Sequence, residues 1–369
     1  MEEVFRFADA LGPEKIVHIH EPRLGLKAIV VIDNTAVGPA IGGTRMAPDV
    51  STDECFRLAR AMTFKNDSAG LAHGGAKSVI FGDPSLPRSE KERLVRAFAA
   101  GIRNLKEYIP GPDMGTDETA MAWIKDEIGR AVGLPRELGG IPLDEIGATG
   151  FGLAAAAEVA QHSCDLKLDG ARVVVQGFGA VGHHAARFLA KKRARLVAAS
   201  DSKGAVANPD GLDIDQLVAL KAEGQSVMEL PAGKRINAAD IVGVDCDIWI
   251  PAARPDMLRE DNVDALRARL VLQGANIPAT VGAERRMHER GILSIPDFIA
   301  NAGGVIAASV EYHGGTEKAA FDAIADKVAA NTFAVLELMK AKRMLPREAA
   351  LELARTRVER AMDMRRWQS

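Results

Sequence analysis

Val173-Val174-Val175-Gln176-Gly177-Phe178-Gly179-Ala180-Val181-Gly182 decides the fold. A β-branched run enters G-x-G-x-x-G, and an apolar helical pattern continues from Val181 to Ala190. Gly177 permits the tight turn, Gly179 lets a pyrophosphate approach the backbone, and Gly182 lets helix and strand pack closely. Phe178, Ala180 and Val181 complete the turn, where free N–H groups and the positive dipole end of the helix favour phosphate. The alternative is a glycine-rich turn of some other α/β fold. The strand before and the helix after are the context a dinucleotide fingerprint requires. Asp201 follows 24 residues after Gly177, directly after Ser200. Either side chain could stand beside a ribose. An acid there favours the free 2′-hydroxyl of NAD, whereas Ser200, Ser202 and Lys203 could hold a 2′-phosphate. NAD is the expected cofactor, with NADP left open.

Working outward, the spacing predicts strands over Arg172–Gln176, Arg195–Ser200, Asp247–Ile250, Leu270–Gln273 and Leu293–Ile295, with helical stretches between most of them. Such alternation implies parallel crossover units. Asp201 to Arg235 reads as a loop and helix. Upstream, Leu26 to Ile32 reads as a buried strand, and Val79 to Phe81 as a short one. Ser51-Thr52-Asp53-Glu54 has capping-box spacing and opens a helix reaching about Lys65. Ser89 to Leu105 and Asp117 to Val132 read as helices, and Glu317 to Arg366 is helical apart from a break at Leu345-Pro346. The expected fold is α/β, with an N-terminal α/β domain, a Rossmann domain and closing helices.

The chain has 369 residues, 47% apolar and 26% charged, which is ordinary globular composition for two or three domains. Lys plus Arg number 47 against 50 Asp plus Glu, a net charge of −3 that argues against a dedicated nucleic-acid binder but leaves room for a local basic patch. Cys55, Cys164 and Cys246 have no paired spacing, which excludes a disulfide framework or a Cys-x-x-Cys site. No apolar run is long enough to span a membrane, and the acidic start MEEVFRFADA lacks a basic n-region. A cytoplasmic protein is expected.

Three polar residues stand out in the first third. Leu58, Met62 and Lys65 fall on one helical stripe, so Lys65 points where apolar residues point; a lysine snorkelling from the helix end reads the same way. Lys77 follows Gly74-Gly75-Ala76 at what reads as a strand start. It is either a solvated turn lysine or a desolvated amine with a lowered pKa, usable as a base. Asp113, in Pro110-Gly111-Pro112-Asp113, is either a helix-entry acid or a proton shuttle beside a lysine.

Gly25-Leu26-Lys27-Ala28-Ile29, Gly38-Pro39-Ala40-Ile41-Gly42-Gly43-Thr44-Arg45-Met46, Met62-Thr63-Phe64-Lys65-Asn66, Gly74-Gly75-Ala76-Lys77, Gly274-Ala275-Asn276 and Asn301-Ala302-Gly303-Gly304-Val305 resemble, in order, motifs of the amino-acid dehydrogenases that act on glutamate, leucine, phenylalanine or valine. The resemblance spans about residues 24 to 312 and is closest in the substrate site to the leucine and phenylalanine branch. It implies Lys77 and Asp113 as catalytic residues and Lys65 as the ligand of the α-carboxylate, helped by the N–H groups of a Gly42-Gly43 turn. It implies Asn276 at the meeting of substrate and nicotinamide ribose, with Thr149, Ala275 and Asn301 also on the cofactor side. It further implies a substrate and oligomerisation domain over 1–145, a Rossmann domain over 146–330, closing helices over 331–369 that return to the first domain, and a homo-oligomer.

In that family the glutamate enzymes carry a lysine where Ile41 stands and a serine where Ala308 stands. Both departures remove partners for a side-chain carboxylate, which is costly to bury unpaired. Ile41, Val305 and Ala308, with small Gly111, predict a pocket for an apolar side chain. The expected reaction is reversible oxidative deamination of an apolar L-amino acid to its 2-oxo acid and ammonia. Glutamate dehydrogenase activity and a non-catalytic dinucleotide sensor are the alternatives. A hydroxy-acid dehydrogenase would call for a histidine base, and no histidine occupies the matching loop. No metal site is expected: His18 and His20 lack a third ligand. His183-His184 reads as solvated helix surface, His73 as packing or site lining, and Arg365-Arg366 beside Trp367 as a tail or subunit contact.

Overall fold

The computed structural model describes residues 5–365; Arg366 and Trp367, read above as part of a tail, lie outside the described residues, as do the first four residues of MEEVFRFADA. The chain divides into two compact units. One comprises Met1–Pro142, Val305–Ala320 and Leu351–Ser369, and the other Leu143–Gly304 and Phe321–Ala350.

The first unit is built on β1 (Lys15–Glu21), β2 (Leu26–Asn34), β3 (Ala40–Ala47), α1 (Thr52–Ser68), β4 (Gly75–Phe81), α2 (Arg88–Gly101), β5 (Tyr108–Pro112) and α3 (Glu118–Ile128). Its sheet runs β1-β2-β4-β3-β5. β1, β2 and β4 pair antiparallel, while β3 lies parallel to both β4 and β5. Leu26, Val30, Ile32, Ile80, Phe98 and Tyr108 form one buried face with α2 and α3, and Val31, Val79, Cys55 and Ala59 form the other against α1. α3 stops at Gly129, whose φ of +76° is left-handed, rather than running on to Val132.

Two expectations change here. Only half of the capping box forms: Ser51 Oγ accepts the Glu54 N–H at 3.1 Å, but the Glu54 carboxylate pairs with Arg45 instead. The buried face of α1 is Cys55, Ala59, Thr63, Asn66 and Asp67. Leu58, Met62 and Lys65 lie on its half-buried flank.

The second unit contains α4 (Ala148–Ala160), β6 (Arg172–Gln176), α5 (Ala180–Ala190), β7 (Arg195–Ser200), β8 (Ala205–Ala207), α6 (Ile214–Ala222), β9 (Lys234–Ile236), β10 (Ile248–Pro251), β11 (Leu270–Leu272), α7 (Val281–Glu289), β12 (Leu293–Ile295) and α8 (Asp297–Ala300). The sheet order is β12-β11-β10-β6-β7-β8-β9. The first five are parallel, and β8 and β9 close one edge antiparallel. The Asp201 to Arg235 stretch thus holds two short strands besides its helix. Strand order reverses beside β6, which has β7 on one side and β10 on the other. Ligands of open α/β sheets bind at such a switch point.

Helices α9 (Gly303–Tyr312), α10 (Glu317–Lys342) and α11 (Pro346–Met364) end the chain. Pro346 is the first residue of α11, where its missing N–H costs nothing. Among the described residues no helix is long and apolar enough to cross a membrane.

Candidate active site

In the first unit the polar groups gather where β3, β4 and β5 run side by side. Lys77 lies inside β4, not at its start, opposite Val31 of β2. Its side chain is 8% exposed, and its ammonium meets the Asp113 carboxylate just beyond β5. Gly42 and Gly43 are strand residues rather than a turn, paired with Pro110 and Gly111. Their contribution is space. A Cβ on Gly42 would stand 1.7 Å from the Ala76 carbonyl oxygen. A Cβ on Gly43 would stand 2.9 Å from Asp113 Cβ and 3.0 Å from Lys77 Nζ.

Beneath the pair, a buried hydroxyl cluster ties the three strands together. Ser78 Oγ lies 2.8 Å from Tyr108 Oη and donates to Thr44 Oγ1 at 3.0 Å, while Tyr108 Oη donates to the Gly42 carbonyl at 3.1 Å. Asp113 is held by its own loop. Its N–H donates to Thr116 Oγ1 at 3.0 Å, and the Met114 N–H donates to its Oδ1 at 2.6 Å.

Burial disfavours the Lys77 ammonium, and the positive charges of Arg45 and Lys65 act in the same direction, bringing Lys77 down to about 7. An amine so placed exchanges a proton near neutrality. Arg45 was hidden in the sequence. It stands in a quoted motif, but nothing in the spacing shows that it joins Glu54 to Asp113.

Ile41 and Ala308 are buried apolar residues at 3% and 5% exposure, and Val305 is half-buried. A Cβ on Gly111 would lie 3.2 Å from Val132 Cγ2. His73 is fully buried, with Nδ1 3.0 Å from the Pro39 carbonyl and its ring against Tyr312 and His313, a packed position. His18 and His20 are exposed on β1, and no group of three or more metal-ligating side chains occurs among the described residues.

In the second unit the turn between β6 and α5 has the expected shape. Gly177 takes φ +96°, and a Cβ there would strike Ala253 at 2.7 Å. A Cβ on Gly182 would lie 2.1 Å from the Gly177 carbonyl oxygen, whereas Gly179 faces open space. Gly179 is also the N-cap of α5 and supplies no capping side chain, so the first-turn donors from Ala180 onward meet no cap. The N–H groups of Gly177 and Phe178 are not among the phosphate donors. Both donate to the Ser200 carbonyl, at 3.1 and 2.7 Å, and the Phe178 ring is buried.

His184, read as solvated, is half-buried and carries its pKa down to about 4, through burial first and then His183 and Arg187. Thr149 is in the first turn of α4, 3.3 Å from where a Cβ on Gly304 would stand. Asn301 is 4% exposed; its Nδ2 donates to Asn276 Oδ1 at 3.1 Å, and its Oδ1 is buried without a partner. Asn276 itself is exposed. Ile277, next to it, holds φ +49°, a strained conformation for a β-branched residue, pinned by its N–H donating to Asp297 Oδ2 at 2.8 Å. The open cradle at Gly179 and the unpartnered Asn301 oxygen fit a dinucleotide. Ala180, Val181, Gly182 and Asn301 are the residues that would hold it.

A Rossmann unit with such a cradle, in a chain that also buries a lysine against an aspartate, defines a dinucleotide-dependent oxidoreductase. Residues 139–366 match the family model described as Glutamate/Leucine/Phenylalanine/Valine dehydrogenase, and residues 13–130 match that described as Glu/Leu/Phe/Val dehydrogenase, dimerisation domain. The NADP(+)-dependent glutamate dehydrogenase of Pyrobaculum calidifontis is 38% identical over 361 residues, covering 90% of this chain and 85% of that protein. Among solved structures, the hetero-hexameric glutamate dehydrogenase of Thermus thermophilus, in a Leu-bound form, superposes with a TM-score of 0.86 at 31% identity, covering 97% of this chain and 91% of that one. The L-tryptophan dehydrogenase of Nostoc punctiforme does so with a TM-score of 0.75 at 26% identity, covering 98% and 99%.

The chain belongs to the glutamate/leucine/phenylalanine/valine dehydrogenase family. It is an amino-acid dehydrogenase, an oxidoreductase acting on the CH–NH2 group with NAD or NADP.

Proposed function

We propose that this chain carries out reversible oxidative deamination of an L-α-amino acid through Lys77 and Asp113. The observation that carries this reading is the buried Lys77 amine, poised near neutrality beside a carboxylate. Lys65 holds the substrate α-carboxylate as a point charge. A bound nicotinamide would supply the acceptor for the α-hydrogen, which leaves as hydride. Neutral Lys77 then takes a proton from water as its oxygen bonds to the imine carbon, and it steadies the resulting carbinolamine. Asp113, having taken a proton from the substrate α-ammonium, returns it to the nitrogen; the C–N bond breaks as the carbinolamine hydroxyl gives its proton to solvent, and ammonia leaves with the 2-oxo acid. Asn276 and Thr149 serve the cofactor side, the first unit carries substrate binding and oligomerisation, and the second carries the dinucleotide.

For the side chain, glutamate is the first reading, supported by relatives that bear the name glutamate dehydrogenase. An apolar amino acid is the second. It is favoured by Ile41 and Ala308, which give a γ-carboxylate neither charge nor hydroxyl. Assembly as an oligomer is supported by the dimerisation-domain match and by the hetero-hexameric Thermus relative.

The test is absorbance at the reduced-nicotinamide band with a panel of amino acids, run with NAD and NADP in parallel. Turnover of glutamate above leucine, valine and phenylalanine supports the first reading, and the reverse order supports the second. No turnover of any amino acid overturns both.

A further inference from the structure

Asp201 directly follows β7, where an acid would meet a ribose, yet its carboxylate is already engaged. Oδ1 accepts the Lys203 N–H at 2.9 Å and Ser226 Oγ at 3.0 Å; Oδ2 accepts the Val227 N–H at 2.9 Å and Lys221 Nζ at 3.0 Å. A carboxylate offers about four lone-pair sites, so all are filled. The side chain is only 8% exposed. Burial alone would raise its pKa, but these four donors outweigh that and bring it to about 2. Asp201 is therefore a permanent anion, paired with Lys221 and fastened across the loop to the turn at Ser226.

Two consequences follow for a dinucleotide. An acid selects NAD by accepting from the 2′-hydroxyl, and Asp201 has no acceptor site left. An acid also excludes a 2′-phosphate by its charge, and here Lys221 compensates that charge. The residues beside it are of the opposite kind: Ser202 and Lys203 are both exposed, and the Lys203 backbone is fixed by its bond to Asp201. A hydroxyl and an ammonium on a fixed turn suit a phosphate.

We propose that Asp201 is the staple of the β7–β8 loop and not a ribose reader, and that the site takes the 2′-phosphorylated dinucleotide at least as well as the unphosphorylated one, with Ser202 and Lys203 meeting the phosphate. This rests on the reading that the β6–β7 end of the sheet holds the dinucleotide.

The experiment is binding of NADPH and NADH, followed by nicotinamide fluorescence without substrate. NADPH is expected to bind as tightly as NADH or more tightly. Lys203→Ala should weaken NADPH about tenfold, the scale of one charge-assisted hydrogen bond, and leave NADH within about twofold. Asp201→Asn should lower the melting temperature while keeping the NADPH to NADH ratio within about threefold, less than half the free energy of a tenfold change. Weak NADPH beside tight NADH overturns the proposal and leaves the dehydrogenase reading intact, as does equal loss of both cofactors in Lys203→Ala. A large gain of NADPH affinity in Asp201→Asn also overturns it. Binding of neither cofactor overturns both readings.

Discussion

The Arg45 guanidinium lies 3.4 Å from Asp113 Oδ1, while Asp113 Oδ2 faces the Lys77 ammonium. Arg45 is itself paired with Glu54 in the first turn of α1. It thus links a helix start to the site acid and adds a positive charge near Lys77. Removing that charge lets the Lys77 pKa climb back towards 10.5. Arg45→Met should therefore move the acid limb of the kcat/KM profile for amino-acid oxidation to higher pH. Each pH unit of that movement costs about tenfold in neutral lysine, and so in rate, below the new pKa. Arg45→Lys keeps a cation and should restore much of the profile. A profile unmoved in Arg45→Met would separate Arg45 from the chemistry.

Lys77 supplies the sharper test. As the base in the deamination direction it works in its neutral form, so oxidation should rise with pH through about 7. Lys77→Ala should lower kcat/KM by about a thousandfold, within the range for a general base. NADH binding should stay near the native value, because the cradle is built from other residues. A Lys77→Ala enzyme with normal turnover would end the mechanism.

Ile41 is buried in β3, and on the proposed reading of the site an added cation there would meet a long acidic side chain of the substrate. Ile41→Lys should raise kcat/KM for glutamate relative to leucine about tenfold or more, the scale of one charge-assisted hydrogen bond. The gain is expected whichever substrate the native chain prefers. A thermal melt on the same variant controls for the cost of burying the lysine. If the ratio does not move, position 41 does not face the substrate side chain.

The sequence pattern revealed the parts of the fold whose signal is local. The β6 turn could be read because each glycine has a separate steric duty within six residues. β2 and β7 could be read because each holds an unbroken apolar run, Ala28 to Ile32 and Leu196 to Ala199. β3 and β5 could not. Gly42 and Gly43 weaken one as a strand, and Pro110 and Pro112 weaken the other, which is tolerated because β5 is an edge strand. The site shows the same division. Lys77 and Asp113 stand in recognisable motifs, but Arg45 gains its meaning from Glu54 and Asp113, far apart in the chain. Asp201 reads in the sequence as a candidate beside the ribose because its partners Lys221, Ser226 and Val227 lie 20, 25 and 26 residues further on.

Asp67 offers a test of stability. It is 1% exposed near the end of α1, neither carboxylate oxygen has a hydrogen-bond donor, and Arg357 Nε lies 3.5 Å from Oδ1. Burial raises its pKa to about 7, with Arg357 opposing. Between the ordinary aspartate value and 7, the folded chain holds a proton that the unfolded chain has released. Stability contributed by this group therefore falls as pH rises through that window and levels off above it. Asp67→Asn removes the titration while keeping the shape. The substitution should raise the melting temperature by a few degrees at pH 8 and by less at pH 5. An equal shift at both values would mean that Asp67 is ionised throughout, its charge balanced by Arg357.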